Sequence, residues 1–203
     1  MSTMTRTSTA ALFGSETLGN VLASLLAAPT RPLAQADLVR YWSHHKLTGQ
    51  RALDRAVASG LVRREGTGRG LRYTAQPAAP DFHAARELAV GDQLRRRLHG
   101  LGERSGAYIF GSFAARTDTP ESDVDVLLIG DMDRLAFQQD FWQLELRLGR
   151  SVNVVDYGWA DFQRRVAEGS QFLSGLLTRP LLTVAGPPLA DLVEAATVAG
   201  VGR

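Results

Sequence analysis

The first 75 residues place apolar side chains at helical spacing and then alternate them with polar ones. Three ranges have apolar residues every three or four positions, so each predicts a helix with one buried face. They are Glu16–Ala28, Leu33–Trp42 and Thr48–Ala58. Two short segments, Leu61–Arg64 and Leu71–Thr74, flank a glycine-rich turn and predict a β-hairpin. Three helices followed by a hairpin are the parts of a winged helix-turn-helix, which we predict for residues 11–75.

The second half of the chain alternates strands and helices. The predicted strands are Ala107–Phe110, Val124–Ile129, Ser151–Tyr157 and Leu181–Val184. The predicted helices are Asp133–Leu148, Ala160–Val166 and Gln171–Leu177. This pattern indicates an α/β (α+β) domain at residues 101–186, with a small mixed sheet flanked by helices.

The remaining segments complete the predicted domain organisation. Residues 1–10 are small and polar, and we expect them to be disordered. Residues 76–100 contain a proline-rich linker, Gln76–Pro80, and a bridging helix, Phe82–Leu98. Residues 187–203 follow Gly186-Pro187-Pro188 and predict a C-terminal tail or small helix.

Composition excludes two classes of protein. The 203 residues include no cysteine, so neither disulfides nor thiolate metal sites are expected. No apolar run approaches the roughly 18 residues of a membrane span. We therefore expect a cytoplasmic protein that does not enter a membrane.

Charge is distributed unevenly along the chain. Residues 1–75 hold ten Arg or Lys and four Asp or Glu, a net charge of +6, whereas the remainder has a net charge of −4. A basic half favours contact with double-stranded DNA. The candidate DNA-binding residues are Gln50, Arg51, Arg55, Arg63, Arg64, Arg69 and Arg72. The alternative is a solvated basic face on a module that binds protein or only dimerises.

The motif with the clearest chemistry is Gly111-Ser112, ten residues, then Asp123-Val124-Asp125. Side chains alternate across a strand, so Asp123 and Asp125 are predicted to share one face, where two like charges favour a bound cation. Mg²⁺ or Mn²⁺ on nucleotide phosphates would relieve their repulsion. Gly111 allows the backbone to approach a phosphate, and Ser112 offers a hydroxyl and an N–H. The alternative is that Asp123 only caps a turn after Ser122.

These residues resemble the hallmark of the DNA polymerase β nucleotidyltransferase superfamily, in which Gly-Ser precedes Asp-x-Asp on a strand. More narrowly, the chain is similar to bacterial winged-helix proteins fused to a minimal nucleotidyltransferase domain. The segments that carry this likeness are Leu12–Ser15, Ser122–Asp125, Gly149–Asn153 and Gly169–Leu173. The resemblance implies an NTP ligand, with ATP favoured. It also implies metal ligation by the two aspartates and phosphate contact by Gly111, Ser112 and Arg116.

The chain departs from the family pattern in three ways. Where the family often has Gly-Ser-x-Ala-Arg-Gly, this chain has Ala115-Arg116, so the second glycine is missing. The aligned position of the third carboxylate is Asn153, which can ligate a metal through oxygen but is a poor proton acceptor. Asp156 is near in sequence, but three residues from Asn153 is the opposite face of a straight strand, so it would ligate a metal only if a bulge turned it inward. The pattern predicts binding of a metal–nucleotide more strongly than rapid transfer.

Three functional hypotheses follow. The first is a metal-dependent enzyme that transfers a nucleoside monophosphate from an NTP to a hydroxyl. The second is a DNA-binding transcriptional regulator whose transferase domain senses a nucleotide or serves as a homodimer scaffold. The third comes from the resemblance alone, because minimal nucleotidyltransferases often act as antitoxins beside a helical toxin partner.

Overall fold

A computed structural model describes residues 9–39, 46–98, 102, 104–131 and 134–201. The chain divides into two compact units. The first unit comprises Met1–Gln93 and Leu146–Gly149, and the second comprises Leu94–Glu145 and Arg150–Arg203. Within the described residues, no helix has the length and apolar character needed to cross a membrane.

The first unit contains helices and one small antiparallel sheet. In chain order the elements are α1 Thr9–Phe13, α2 Glu16–Ala27, β1 Leu33–Ala34, α3 Gln35–Val39, α4 Lys46–Ala58, β2 Val62–Glu65, β3 Arg72–Ala75 and α5 Phe82–Arg95. The last two residues of α5 are counted with the second unit. The strand order is β1-β3-β2, and Val62 pairs with Ala75 at one end of the hairpin.

The core of the first unit explains why these segments fold. Ser15 caps α2 by accepting a hydrogen bond from the Leu18 amide. α2 packs against α4, and its Leu25 and Leu26 side chains are fully buried, as is Tyr73 of β3. The predicted helices at Glu16–Ala28 and Thr48–Ala58 and the predicted hairpin are therefore present within one or two residues of their expected bounds. The winged-helix interpretation stays a prediction.

Two predictions for this unit are wrong in part. The start was expected to be disordered through residue 10, but α1 begins at the buried Thr9. Thr9 packs where a side chain at Gly19 would collide with it, and its hydroxyl donates a 2.6 Å hydrogen bond to Asp92. The helix expected over Leu33–Trp42 begins only at Gln35, because Leu33 and Ala34 pair with β3 instead. Residues 1–8 and 40–45 lie outside the described part.

The second unit is a mixed sheet with helices. Its elements are β4 Gly106–Phe110, α6 Gly111–Ala115, β5 Val124–Ile129, α7 Arg134–Leu148, β6 Val152–Tyr157, α8 Trp159–Ala167, α9 Gln171–Leu177, β7 Leu182–Ala185 and α10 Leu189–Val201. The last three residues of α7 are counted with the first unit. The strand order is β6-β5-β4-β7, and only the β5–β6 pair is parallel.

Both faces of the central strands are buried. On one face Leu127 and Ile129 pack with Phe162 of α8 and Leu173 of α9. On the other face Val126 and Leu128 are also fully buried. Such strands read as continuous apolar runs, and Asp125 is the one polar residue within β5. Packing against apolar neighbours does not explain a carboxylate at that position.

The second unit has the mixed α/β architecture expected of a nucleotidyltransferase fold. Of the two alternatives for the C-terminal segment, the helix is observed as α10, and it is anchored by Tyr108, whose hydroxyl donates a 2.7 Å hydrogen bond to the Pro187 carbonyl. Burial raises the pKa of the Tyr108 phenol.

Candidate functional site

The Asp125 carboxylate lies between two neighbours at the start of β5. Parallel pairing sets Asp125 beside Asn153 of β6, and the Asn153 amide Nδ2 donates a 2.9 Å hydrogen bond to Oδ1 of Asp125. On the other side, antiparallel pairing sets Asp125 beside Phe110, the residue before Gly111. Strand pairing on both sides therefore holds the Asp125 carboxylate between the Asn153 amide and the backbone bend at Gly111.

Gly111 is required by both conformation and space. Its φ of +70° lies in the left-handed region that other residues rarely adopt. A β-carbon at this position would overlap Oδ2 of Asp125. The close approach of Gly111 to Asp125 was not part of the sequence prediction, which gave this glycine a role only toward phosphate.

Asp123 precedes β5 and is exposed to solvent. It forms no hydrogen bond or ion pair with any other described residue, and Asp125 has no described cationic partner. Two carboxylates two positions apart are thus left without a compensating cation from the described part of the chain. Such a pair favours ligation of a metal ion.

A buried arginine fixes the loop that leads to Asp123. The Arg150 guanidinium pairs with Asp118 at 2.6 Å and donates to the carbonyl oxygens of Thr119 and Ser122. The Arg150 side chain is only 1% exposed. Charge-assisted hydrogen bonds to three loop residues hold the loop conformation immediately before Asp123. Arg150 belongs to a segment that carries the family resemblance, but its role in the loop was not predicted.

The position of the third carboxylate is occupied by an amide, as the sequence indicates. Asn153 is next to Asp125, whereas Asp156 pairs with the buried Leu128 and lies on the opposite face of the sheet from Asp125. Asp156 is therefore not part of this arrangement. No group of three or more His, Cys, Asp or Glu side chains in the described ranges could hold a metal ion.

The donor set still fits one magnesium–nucleotide. Mg²⁺ is commonly held by one or two protein carboxylates together with substrate phosphates and water. Asp123 and Asp125 supply two carboxylates, and Asn153 uses its Nδ2 to donate to Asp125. A neutral amide adds no charge for a second metal ion.

The departure from the family at Arg116 has a conformational consequence. Arg116 ends α6 with φ +59° and is the one non-glycine residue with positive φ in the described part of the chain. The missing second glycine of the family pattern aligns with this position. The backbone bend is kept without glycine, and the Arg116 side chain is exposed and does not line the cleft described next.

A cleft of about 600 Å³ opens beside Gly111 and Ser112. Its other wall comes from α9 and the segment before β7, including Phe172, Gly175 and Arg179. The Ser112 hydroxyl lines the cleft and has no hydrogen-bond partner among the described residues. The α9 residues were not predicted as part of the site, although Gln171-Phe172 belongs to a segment that carries the family resemblance.

Among the candidate DNA-binding residues of the first unit, Gln50 is half-buried and five arginines are exposed, but several already have partners; the exposed ones are Arg51, Arg55, Arg63, Arg64 and Arg72. Arg64 pairs with Asp54 at 3.4 Å, Arg63 pairs with Glu65 at 3.0 Å, and Arg55 donates to the Phe13 carbonyl. The Arg72 guanidinium donates to the Leu71 carbonyl at 3.1 Å.

Gln50 and Arg51 of α4 differ in how free their side chains are. Gln50 accepts from Gln35 and donates to Asp54, so both ends of its amide are in use. Arg51 is exposed, with no partner in the described ranges. The Arg69 side chain lies outside the described part.

Comparison with known proteins gives a class for the second unit. Residues 92–167 match the family model of the nucleotidyltransferase domain, a range that contains Gly111, Ser112, both aspartates, Arg150 and Asn153. None of the curated proteins matches the sequence significantly.

Two crystal structures of toxin–antitoxins are similar to the chain. One, a toxin–antitoxin with AMP-PNP, shows 21% identity and a TM-score of 0.35 over 54% of this chain and 78% of that chain. The other, a mutant of the toxin–antitoxin MntA–HpeT, shows 18% identity and a TM-score of 0.36 over 57% of this chain and 83% of that chain.

Proposed function

We propose that the second unit binds a Mg²⁺–nucleoside triphosphate and transfers its nucleotidyl group slowly. Asp123 and Asp125 would hold the metal, and Gly111 and Ser112 would contact the phosphates. The observation that carries this proposal is the placement of the Asp125 carboxylate against Gly111, with an unpaired Asp123 beside it. The family match over residues 92–167 supports the same assignment.

The proposed reaction has a defined balance. An acceptor hydroxyl oxygen forms a bond to the α-phosphorus, the bond from that phosphorus to the bridging oxygen breaks, and pyrophosphate leaves. The bound metal would neutralise charge that develops on the phosphate oxygens. The hydroxyl proton would pass to solvent water, because Asn153, which the resemblance aligns with the family's third carboxylate, is a poor proton acceptor. Transfer is therefore limited by proton removal.

The test is release of pyrophosphate and incorporation of label from α-labelled NTP, with Mg²⁺ or Mn²⁺. The wild type is compared with two variants. Asp125→Asn replaces a carboxylate by an amide, and Asn153→Asp replaces an amide by a carboxylate. We expect Asn153→Asp to accelerate transfer by about 10²-fold, the lower part of the range for a positioned base. We expect Asp125→Asn to abolish it.

Two results would contradict the proposal. Transfer that persists in Asp125→Asn would mean that this carboxylate does not hold the catalytic metal. An Asn153→Asp variant that binds Mg²⁺–NTP but turns over no faster would mean that proton removal is not limiting.

We infer a second activity for the first unit, which is contact with the phosphate backbone of double-stranded DNA. Support comes from the exposed Arg51 on α4 and from the exposed Arg63 and Arg64 on β2. Both ends of the Gln50 amide are already hydrogen-bonded, so this side chain has no free group with which to recognise a base. The exposed arginines therefore favour contact with the phosphate backbone. The logarithm of the DNA-binding constant should fall steeply with the logarithm of the salt concentration. Arg51→Gln should make that slope shallower by about one. A slope near zero would contradict the inference.

The homodimer, the toxin partner and the regulatory role stay predictions of the sequence. Purification of the protein together with the product of the neighbouring gene would test the toxin partner. Sedimentation of the isolated chain would test the dimer.

A further inference from the structure

The cleft beside Gly111 has a second wall that the nucleotidyltransferase family match does not cover. The match ends at residue 167, whereas Phe172, Gly175 and Arg179 of that wall come later in the chain. Asp123 and Asp125 do not line the cleft. Gly111 connects the pair of aspartates with the cleft, because it contacts Asp125 on one side and lines the cleft on the other.

Phe172 offers a supported but accessible aromatic face. Its ring contacts the Phe110 ring edge to face, with 5.6 Å between centroids, and 37% of the residue is exposed. An aromatic ring held by one neighbour and open on the other side is a platform for a planar ligand. Phe110 is the last residue of β4, so the platform is attached to the strand that leads to Gly111.

Gly175 leaves a gap in the same wall. It lies one helical turn after Gln171 and three residues after Phe172, so it shares a face of α9 with both. A β-carbon built at Gly175 would meet no atom within 4 Å, and its φ is not positive. The glycine is therefore not demanded by packing or by backbone conformation. Its absence of a side chain keeps the cleft open.

Arg179 supplies positive charge in the same wall of the cleft. Antiparallel pairing of Leu182 with Ile109 brings the residues before β7 to the end of β4, where Gly111 follows. The Arg179 side chain is exposed and forms no ion pair with any described residue. An unpaired guanidinium and a serine that line the same cleft suit a phosphate.

We propose that this wall completes the nucleotide site, with the base stacked on Phe172 over Gly175 and the phosphates between Ser112 and Arg179. The ligand class is a nucleoside triphosphate. This inference rests on the proposed function of the second unit, and it assigns base recognition to residues outside the family match.

The experiment measures binding of ATP in Mg²⁺, and of adenosine, by calorimetry. Gly175→Leu adds a side chain at a position where a β-carbon meets no atom within 4 Å. Ser174→Leu is the matched control because Ser174 is exposed and does not line the cleft. We expect Gly175→Leu to weaken ATP binding by about tenfold or more, since it removes a base-stacking position. We expect Ser174→Leu to bind as the wild type does.

Two further variants separate the base from the phosphates. Phe172→Ala should weaken ATP and adenosine by the same factor. Arg179→Gln should weaken ATP by about tenfold, as loss of a charge-assisted hydrogen bond implies, and leave adenosine unchanged. Thermal unfolding of each variant shows that it folds, and Gly175→Leu should unfold no earlier than the wild type because leucine is a better helix former.

The outcomes distinguish this inference from the proposed function. If Gly175→Leu and Phe172→Ala both bind ATP as the wild type does, while Asp125→Asn does not, the base lies elsewhere and only the inference about the cleft is overturned. If the wild type binds no nucleotide in Mg²⁺, both proposals are overturned.

Discussion

Each unit contains an arginine–aspartate pair, and the two pairs differ in almost every physical respect. In the first unit Arg64 and Asp54 are 3.4 Å apart with side chains 48% and 53% exposed. In the second unit Arg150 and Asp118 are 2.6 Å apart with side chains 1% and 5% exposed. The exposed pair is held weakly and can exchange its partner for a phosphate. The buried pair fixes the loop beside Asp123, whereas the exposed pair leaves Arg64 accessible for the DNA contact that we propose for the first unit.

Breaking the buried pair should have the largest effect. Arg150→Met removes the guanidinium that pairs with the buried Asp118 and removes the hydrogen bonds to two loop carbonyls. We expect the free energy of unfolding, measured in urea, to fall by about 3–5 kcal/mol. Mg²⁺–NTP binding should weaken as well, because the loop before Asp123 loses its anchor.

A double variant provides the control for that prediction. Arg150→Met with Asp118→Leu removes both charges, and we expect it to recover much of the lost stability. If the single variant is as stable as the wild type, the buried pair does not hold the loop.

Gly111→Ala should have an intermediate effect. The positive φ costs a non-glycine residue about 1–2 kcal/mol, and the new methyl group displaces the Asp125 carboxylate. We expect a loss of stability of that size in urea, together with loss of Mg²⁺–NTP binding. The matched control is Gly91→Ala in α5, where a β-carbon meets no atom within 4 Å and alanine favours the helix. An alanine at Gly111 that preserved nucleotide binding would contradict the role given to the contact with Asp125.

Breaking the exposed pair should have the smallest effect. Arg64→Met is expected to change the free energy of unfolding by less than about 0.5 kcal/mol, because exposed ion pairs add little. The same variant should weaken binding to duplex DNA at low salt. A large loss of stability would show that the exposed pair, like the buried one, holds the fold together, and it would contradict the comparison.

The sequence predicted local elements well where one pattern dominates. The bounds of β5 and α9 agree with the prediction, because an uninterrupted apolar run and a helical repeat leave few alternatives. The helix expected from Leu33 was too long at its start, since pairing with β3 overrode the local spacing. The sequence also indicated the amide at Asn153, and the sheet register shows it donating to Asp125.

Other parts of the site depend on contacts between distant residues and were not predictable from the motif. Arg150 reaches a loop about 30 residues earlier in the chain. Arg179 reaches the Gly111 end of β4 only through the register of β7. Neither position belongs to a motif with a recognised chemistry, so no local pattern could assign them.

The most direct test of the central claim is calorimetric titration of the protein with ATP, with and without Mg²⁺. The wild type and Asp125→Asn are compared, because the substitution keeps the shape of the side chain and an acceptor for Asn153 but removes the charge. We predict that the wild type binds ATP much more tightly with Mg²⁺ than without it, and that Asp125→Asn loses this gain from Mg²⁺. Equal binding by both proteins, or binding that ignores Mg²⁺, would contradict a nucleotide site built on this carboxylate.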